Sequence, residues 1–376
     1  MAVSSERIAG AFMDLVMIDS PSLEEREVMD RIRSICESMG LDVYEDDTGT
    51  KINGDSGNLI VRMKGNKEAP AVLLMAHADT VPPCRKIKPV RDGDTITSDG
   101  TTILGADDKA GVAVILETLR VLDEDSIAHG EIEAVFTVGE EIRLLGSKNL
   151  DYSGLKAKYG FVLDSNGSIG TYVKKAPFHN NISFTVKGKS AHAGIEPEKG
   201  ISAIKIAADA ITRIPFGRID GETTTNIGVI IGGKATNVVT EEVFVKGEAR
   251  SRNRARLDEV TDRIKTAFEE TARAHGGECQ TRIDLEYSGY SVDPGSEIVS
   301  ILTAATGECG ITLQPEESGG GSDVNNVITA GIETVDLGIG MNNVHSVSEN
   351  IKISDMAKAA EFMIEIIKAV EKGSVR

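Results

Sequence analysis

The sequence predicts an α/β protein with a smaller α+β domain inserted into it. Three observations carry this. Apolar runs alternate with helical patterns through the first third of the chain and again after about Pro294. Between them the order changes to strand, helix, strand, strand, helix, strand, the split-βαβ pattern. The length of 376 residues favours two or three domains over one.

Each element has its own signal. Ser22 with Glu25 reads as a capping box, and Val28, Ile32, Ile35, Cys36 and Met39 recur at helical spacing up to Gly40. Short apolar runs at 58–63 and 71–76 read as strands. A helix follows at about 110–122, where Val112, Ile115, Leu116 and Leu119 share a face, and strands follow at 131–138 and 161–163. From about Pro177, residues 181–186 alternate like a half-exposed strand. A helix is expected at 201–214, strands at 225–231 and 242–249, a long helix at 257–275 and a last strand at 283–287. Helices at 298–306 and 356–370 and a buried strand at 334–337 resume the first pattern. Residues 1–177 and 291–376 therefore read as one discontinuous domain, with 178–290 inserted as a sheet covered by two helices on one face.

Composition narrows the class. Hydrophobic residues at 40% and charged residues at 27% mark a globular chain. A formal net charge of -18 repels phosphate backbones and anionic lipid, so neither nucleic acid nor membrane is an expected partner. No apolar run reaches the roughly 18 residues of a membrane span. Cys36, Cys84, Cys279 and Cys309 are widely spaced and form no CxxC pair, which argues against a disulfide framework or a thiolate zinc site. A reducing cytoplasm fits this usage.

Polar residues stand directly after the apolar strands, where an open α/β sheet places its ligands. His77 and Asp79 follow the run 71–76 and point the same way by the strand period of two. That spacing suits a metal-ligating imidazole whose second nitrogen is held by a carboxylate, or equally a solvated strand end. Asp107 and Asp108 in Gly-Ala-Asp-Asp-Lys precede a helix; capping accounts for one aspartate more easily than for both. Glu140 and Glu141 follow a strongly apolar strand. A cation would relieve their repulsion and free one as a general base, and a surface acidic pair is the alternative. Asp164 ends another buried strand, and His345 sits in a Gly/Asn-rich loop. Together, two histidines and several carboxylates at strand ends match the hard oxygen and imidazole donors for a pair of zinc or similar ions.

In order, His-x-Asp-Thr-Val-Pro from His77, Gly-Ala-Asp-Asp-Lys, Gly-Glu-Glu, Leu-Asp-Ser and Asn-x-Val-His-Ser resemble the M20 metallopeptidase family and, within it, the peptidase T-like branch. The match spans essentially the whole chain. The resemblance implies a zinc-peptidase-type domain with a mixed sheet flanked by helices, and an inserted ferredoxin-like lid and dimerisation domain. It implies two Zn2+ per subunit, with Co2+ and Mn2+ also suited. His77, Asp107 and Asp164 would hold one ion, and Asp107, Glu141 and His345 the other. Asp79 would orient His77, and Glu140 would be the general base acting on a bridging hydroxide. His192, in Gly-Lys-Ser-Ala-His-Ala-Gly, would donate to the oxyanion from the partner subunit of a homodimer. Asn237 and Arg250 match substrate-contacting lid positions, and Gly320 and Ser322 lie in a glycine-rich substrate loop. The activity implied is removal of the amino-terminal residue of short peptides, tripeptides foremost. An N-acyl amino acid deacylase or carboxypeptidase-type hydrolase on the same metals is the alternative, and a non-catalytic peptide-binding protein the remote one.

Overall fold

The run Val72-Leu-Leu-Met-Ala-His77 has no polar alternation. In the computed structural model, which describes residues 3–373, it is a strand buried along its whole length, as is Ile132–Thr137. Strands buried on both faces belong inside a largely parallel, helix-covered sheet. These two pair in parallel, from Val72 opposite Ile132 to His77 opposite Thr137.

The chain divides into two compact units. The first holds the described residues up to Lys174, then Val292–Glu317 and the residues from Ser322 on; the second holds Lys175–Ser291 and Ser318–Gly321. The first unit is mixed α/β. Its large sheet runs Asp42–Glu45, Leu59–Met63, Ile132–Thr137, Val72–His77, Tyr159–Ser165, Glu333–Gly338 and Thr171–Ala176. The pairs around Val72–His77 are parallel, whereas Leu59–Met63 joins antiparallel at one side. The helices Ser5–Val16, Ala106–Glu124, Glu297–Cys309 and Ile353–Glu371 pack together over the sheet around one apolar core. Parallel pairing puts the carboxyl ends of three central strands, at His77, Thr137 and Ser165, along one edge.

One feature differs from the expectation, and several elements are additions to it, the strands Asp42–Glu45 and Thr171–Ala176 among them. The helix Arg26–Ser38 has Glu25 at its N-cap with no side-chain cap bond, so no capping box forms. Leu23 turns the chain at a φ of 74°, and the cap position falls three residues beyond Ser22. The Ser22 hydroxyl donates instead to Asp79 Oδ2 at 2.6 Å. Not anticipated were the first helix, Ser5–Val16, whose Ile8, Phe12, Leu15 and Val16 are buried, and a small sheet of Pro89–Asp92, Thr95–Ser98 and Asn350–Lys352.

In the second unit, strands Thr223–Gly232, Glu242–Ser251, Phe178–Lys187 and Glu278–Tyr287 lie side by side in that order, all antiparallel. Burial alternates along Glu242–Ser251, as expected where one face is covered and the other open. The covered face packs on helices Ala203–Ile211 and Arg254–Ala274, with Phe184 and Phe268 stacked at 3.8 Å. Both helices are capped by the residue before them: Ser202 accepts from the Lys205 amide and Asn253 from the Arg256 amide. Among the described residues, no helix is long and apolar enough to cross a membrane. All four cysteines are free.

Candidate metal centre

Five residues from separate segments of the first unit converge at the strand ends. His77 closes its strand and Asp164 lies near the end of Tyr159–Ser165. Gly139, at a φ of 60°, turns the chain after Ile132–Thr137 and presents Glu140 and Glu141. His345 sits in the loop after Glu333–Gly338. Asp107 occupies a non-helical stretch at the start of Ala106–Glu124. Two groups form, His77 with Asp107 and Asp164, and Asp107 with Glu141 and His345, each with its ligand atoms within 4.8 Å of one another.

Asp107 belongs to both, and its two oxygens divide between them. Oδ1 lies 3.0 Å from His77 Nε2, and Oδ2 lies 3.1 Å from His345 Nε2. His77 Nε2 is 3.6 Å from Asp164 Oδ1, and His345 Nε2 is 2.9 Å from Glu141 Oε1. Glu140 is buried beside them and belongs to neither group.

A second layer of carboxylates fixes the first. Asp79 Oδ1 accepts the Glu140 N–H at 2.9 Å, and Oδ2 accepts the Glu141 N–H at 3.2 Å. His77 Nδ1 faces the Asp79 carbonyl at 3.0 Å and its Oδ1 at 3.4 Å, so Asp79 steadies both the imidazole and the glutamate turn. The paired aspartates split the two roles open to them. Asp107 faces the imidazoles, while Asp108 accepts the N–H of His77 at 3.2 Å and of Gly111 at 3.1 Å, the latter a helix-start bond. A Cβ at residue 111 would meet Asp108 Oδ1 at 2.4 Å and the Leu163 carbonyl at 2.6 Å, so this approach requires glycine.

Other supports had no local signal in the sequence. Glu25, fully buried, accepts the N–H groups of Leu23 and Gly139, both at 2.9 Å. Asp336 accepts the Asp164 N–H at 3.2 Å. Asp323 accepts the hydroxyls of Thr137 at 2.6 Å and Ser147 at 2.5 Å. Lys109 is fully buried, its ammonium bonded to the Thr80 hydroxyl.

So many ionisable groups crowded into a largely buried space, with His345 at its exposed side, cannot all carry their usual charges. Burial, with repulsion from Asp164, raises the Glu140 carboxyl well above its usual range. Burial and Asp107 do the same to Asp164, and burial raises Glu141. Bonds to Asp107 and Glu141 push the His345 imidazole up to about 10. Against its own burial, Asp107 is held low by His345 and His77. The cluster thus holds protons on acids and imidazoles that would be free of them in water. Divalent cations fit in place of those protons, and two imidazoles with three carboxylates suit zinc, cobalt or manganese.

Residues 73–369 match the sequence pattern of peptidase family M20/M25/M40. The chain belongs to this family. It is 30% identical to a peptidase T of Brevibacillus brevis over 285 residues, covering 74% of this chain and 68% of the relative. The crystal structure of an aminopeptidase PepT from Bacillus cereus is 42% identical, with a TM-score of 0.89 and coverage of 98% and 99% of the two chains. That of a Staphylococcus aureus tripeptidase is 38% identical, with a TM-score of 0.93 and coverage of 99% and 100%. The protein is therefore a peptidase of the peptidase T-like branch of M20, a metal-dependent family.

The other expected site residues of this M20 peptidase lie mainly in its second unit. His192 is exposed, and its Nδ1 accepts the Gly194 N–H at 3.2 Å. It is brought beside Asn237, whose carbonyl accepts the Ala193 N–H at 2.9 Å. Arg250 grips Glu248 with Nε and Nη2, both at 3.1 Å, and Glu248 lies 3.1 Å from His179 Nε2. His179 first, with Arg250 adding and burial opposing, draws the Glu248 carboxyl down to about 2. The glycine-rich loop is divided: Gly320 belongs to the second unit and the buried Ser322 to the first. The Gly320 amide is bonded to Ser318 Oγ within the loop and the Ser322 amide to Asn325 Oδ1 of the following helix Val324–Thr329, both at 3.0 Å.

Proposed function

We propose that this M20 peptidase removes the amino-terminal residue of short peptides, tripeptides foremost, at a centre of two zinc ions. The observation that carries the reading is the division of Asp107, one oxygen toward His77 and the other toward His345. His77, Asp107 and Asp164 would hold one ion, and Asp107, Glu141 and His345 the other. Metal ions held there would supply Lewis-acid polarisation of the scissile carbonyl and a lowered pKa for the attacking water. Glu140, buried beside both groups and a member of neither, takes a proton from the attacking water and passes it to the leaving amine. Asp79 keeps Glu140 and His77 in place through the bonds described above. The likeness to the Bacillus cereus aminopeptidase and the Staphylococcus aureus tripeptidase supports the choice of substrate.

The second unit serves in this reading as lid and dimer interface. His192 stabilises the oxyanion in the partner subunit's site, while Arg250 and Asn237 grip the peptide beyond the cleaved bond. Thr223–Gly232 is bonded on its outer side near its start, at Thr223, Thr224 and Thr225, by residues 217–220. Beyond them Val229, Ile230 and Ile231 are exposed, which suits pairing with a second copy in the cytoplasm.

Turnover of metal-loaded protein on matched tripeptides, dipeptides and N-acetyl amino acids tests the reading. Preference for free-amine tripeptides is expected. Preference for N-acetyl substrates would make the enzyme a deacylase and overturn it. His192→Ala should lower kcat by on the order of 10²–10³. Mixing it with Glu140→Ala subunits should restore activity in heterodimers, and no recovery would place the site within one chain.

A further inference from the structure

Asp107 and Asp108 stand outside helical geometry, with ψ values of 104° and 33°, so the helix ladder does not hold them. A side chain from far along the chain does. Glu349 Oε2 accepts the N–H of Leu104 at 2.8 Å and of Gly105 at 2.7 Å, while Oε1 accepts the N–H of Asp107 at 3.0 Å. Glu349 has no exposure to solvent. Three amides converging on one buried carboxylate form charge-assisted bonds, stronger than neutral ones and costly to leave unmade.

The same residue closes the loop that carries His345. Its own N–H donates to the Ser346 carbonyl at 3.0 Å, and Asn342 and Asn350 exchange two backbone bonds of 3.0 Å across the loop base. One carboxylate therefore joins the turn of Asp107 to the loop of His345, although Glu349 and Asp107 are 242 residues apart. Glu349 is in neither ligand group.

We propose that Glu349 is a positioning residue for the metal centre, setting the separation of Asp107 and His345 and so the affinity for the cation they share with Glu141. The inference rests on the two-metal reading above. Glu349→Gln keeps the side chain's size but places an NH2 where one oxygen now accepts an N–H, so donor meets donor. Groups behind metal ligands typically change affinity 10–100-fold when altered.

The test is stepwise Co2+ binding to full-length, metal-stripped protein, followed by visible d–d absorption, with folding checked by circular dichroism. His345→Ala identifies which step belongs to its site. Glu349→Gln should weaken that step by on the order of 10–100-fold and shift its spectrum. Glu117→Gln is the control, since Glu117 is also a buried carboxylate but is bonded to Ser4 and Arg7. It should lose stability and leave both steps unchanged. If Glu349→Gln does not fold, Glu349→Asp, with the charge kept and the reach shortened, is read in the same way. A His345 step at wild-type affinity overturns the inference. Wild-type protein that does not take up two equivalents overturns the two-metal reading instead.

Discussion

The strands Val72–His77 and Glu242–Ser251 treat polar residues differently. The first is buried along its whole length, so charged groups gather just beyond its end with those of its neighbours. There, largely shielded from water, charges act on one another strongly. The second has one open face, along which Lys246, Glu248 and Arg250 follow one another at alternate positions. The first arrangement concentrates ionisable groups until they shift one another's proton affinities; the second spreads them as pairs suited to gripping a ligand. Metal binding and proton transfer are thus expected to depend on the first unit, and the grip on substrate and oxyanion on the second.

The largest effect should come from Glu140→Ala, a loss in kcat on the order of 10²–10⁴-fold with metal content unchanged by elemental analysis. Surviving turnover would mean that Glu140 only balances buried charge. Next is Leu74→Ala, inside the doubly buried strand, which should cost about 2–5 kcal/mol in urea unfolding. Glu25→Gln sharpens the comparison through pH. Burial, with repulsion from Asp79, raises the Glu25 carboxyl from 4.5 to about 8. The folded state therefore keeps a proton that the unfolded chain gives up, so the stability Glu25 contributes below its ordinary pKa is lost as pH rises through about 8. In metal-free protein, Glu25→Gln should flatten that slope and be more stable than the parent near the top of the window by on the order of 3 kcal/mol. Identical pH–stability curves would refute it. The smallest effect belongs to Ile283→Thr, exposed in the second unit, at about 0.5 kcal/mol or less. A cost matching that of Leu74→Ala would break the contrast between the two sheets.

Legibility followed the same contrast. The segments holding His77, Asp107, Glu141, Asp164 and His345 could be picked out because each follows an apolar strand or a glycine turn; the family resemblance, not the spacing, chose Asp107 over Asp108 and Glu141 over Glu140, and the structure brings all five side chains together. The strand and helix order of the second unit was legible from its alternation. The supporting layer was not: Glu25, Asp323, Asp336 and Glu349 bond to partners up to 245 residues away, and such bonds impose no local spacing. Ser22 and Glu25 had the spacing of a helix cap, yet the same oxygens serve Asp79 and Gly139. The small sheet escaped because its strands have only three or four residues and Pro89–Asp92 is largely exposed.

The position of Glu333–Gly338 between Tyr159–Ser165 and Thr171–Ala176 bears on how the enzyme is made. The ribosome must deliver the whole of Lys175–Ser291 before the strand that fills this gap exists. Until translation passes residue 345, the cluster also lacks one of its two imidazoles. A nascent chain can complete Lys175–Ser291, the bulk of its second unit, early, while the centre that would cut peptides is assembled late in synthesis.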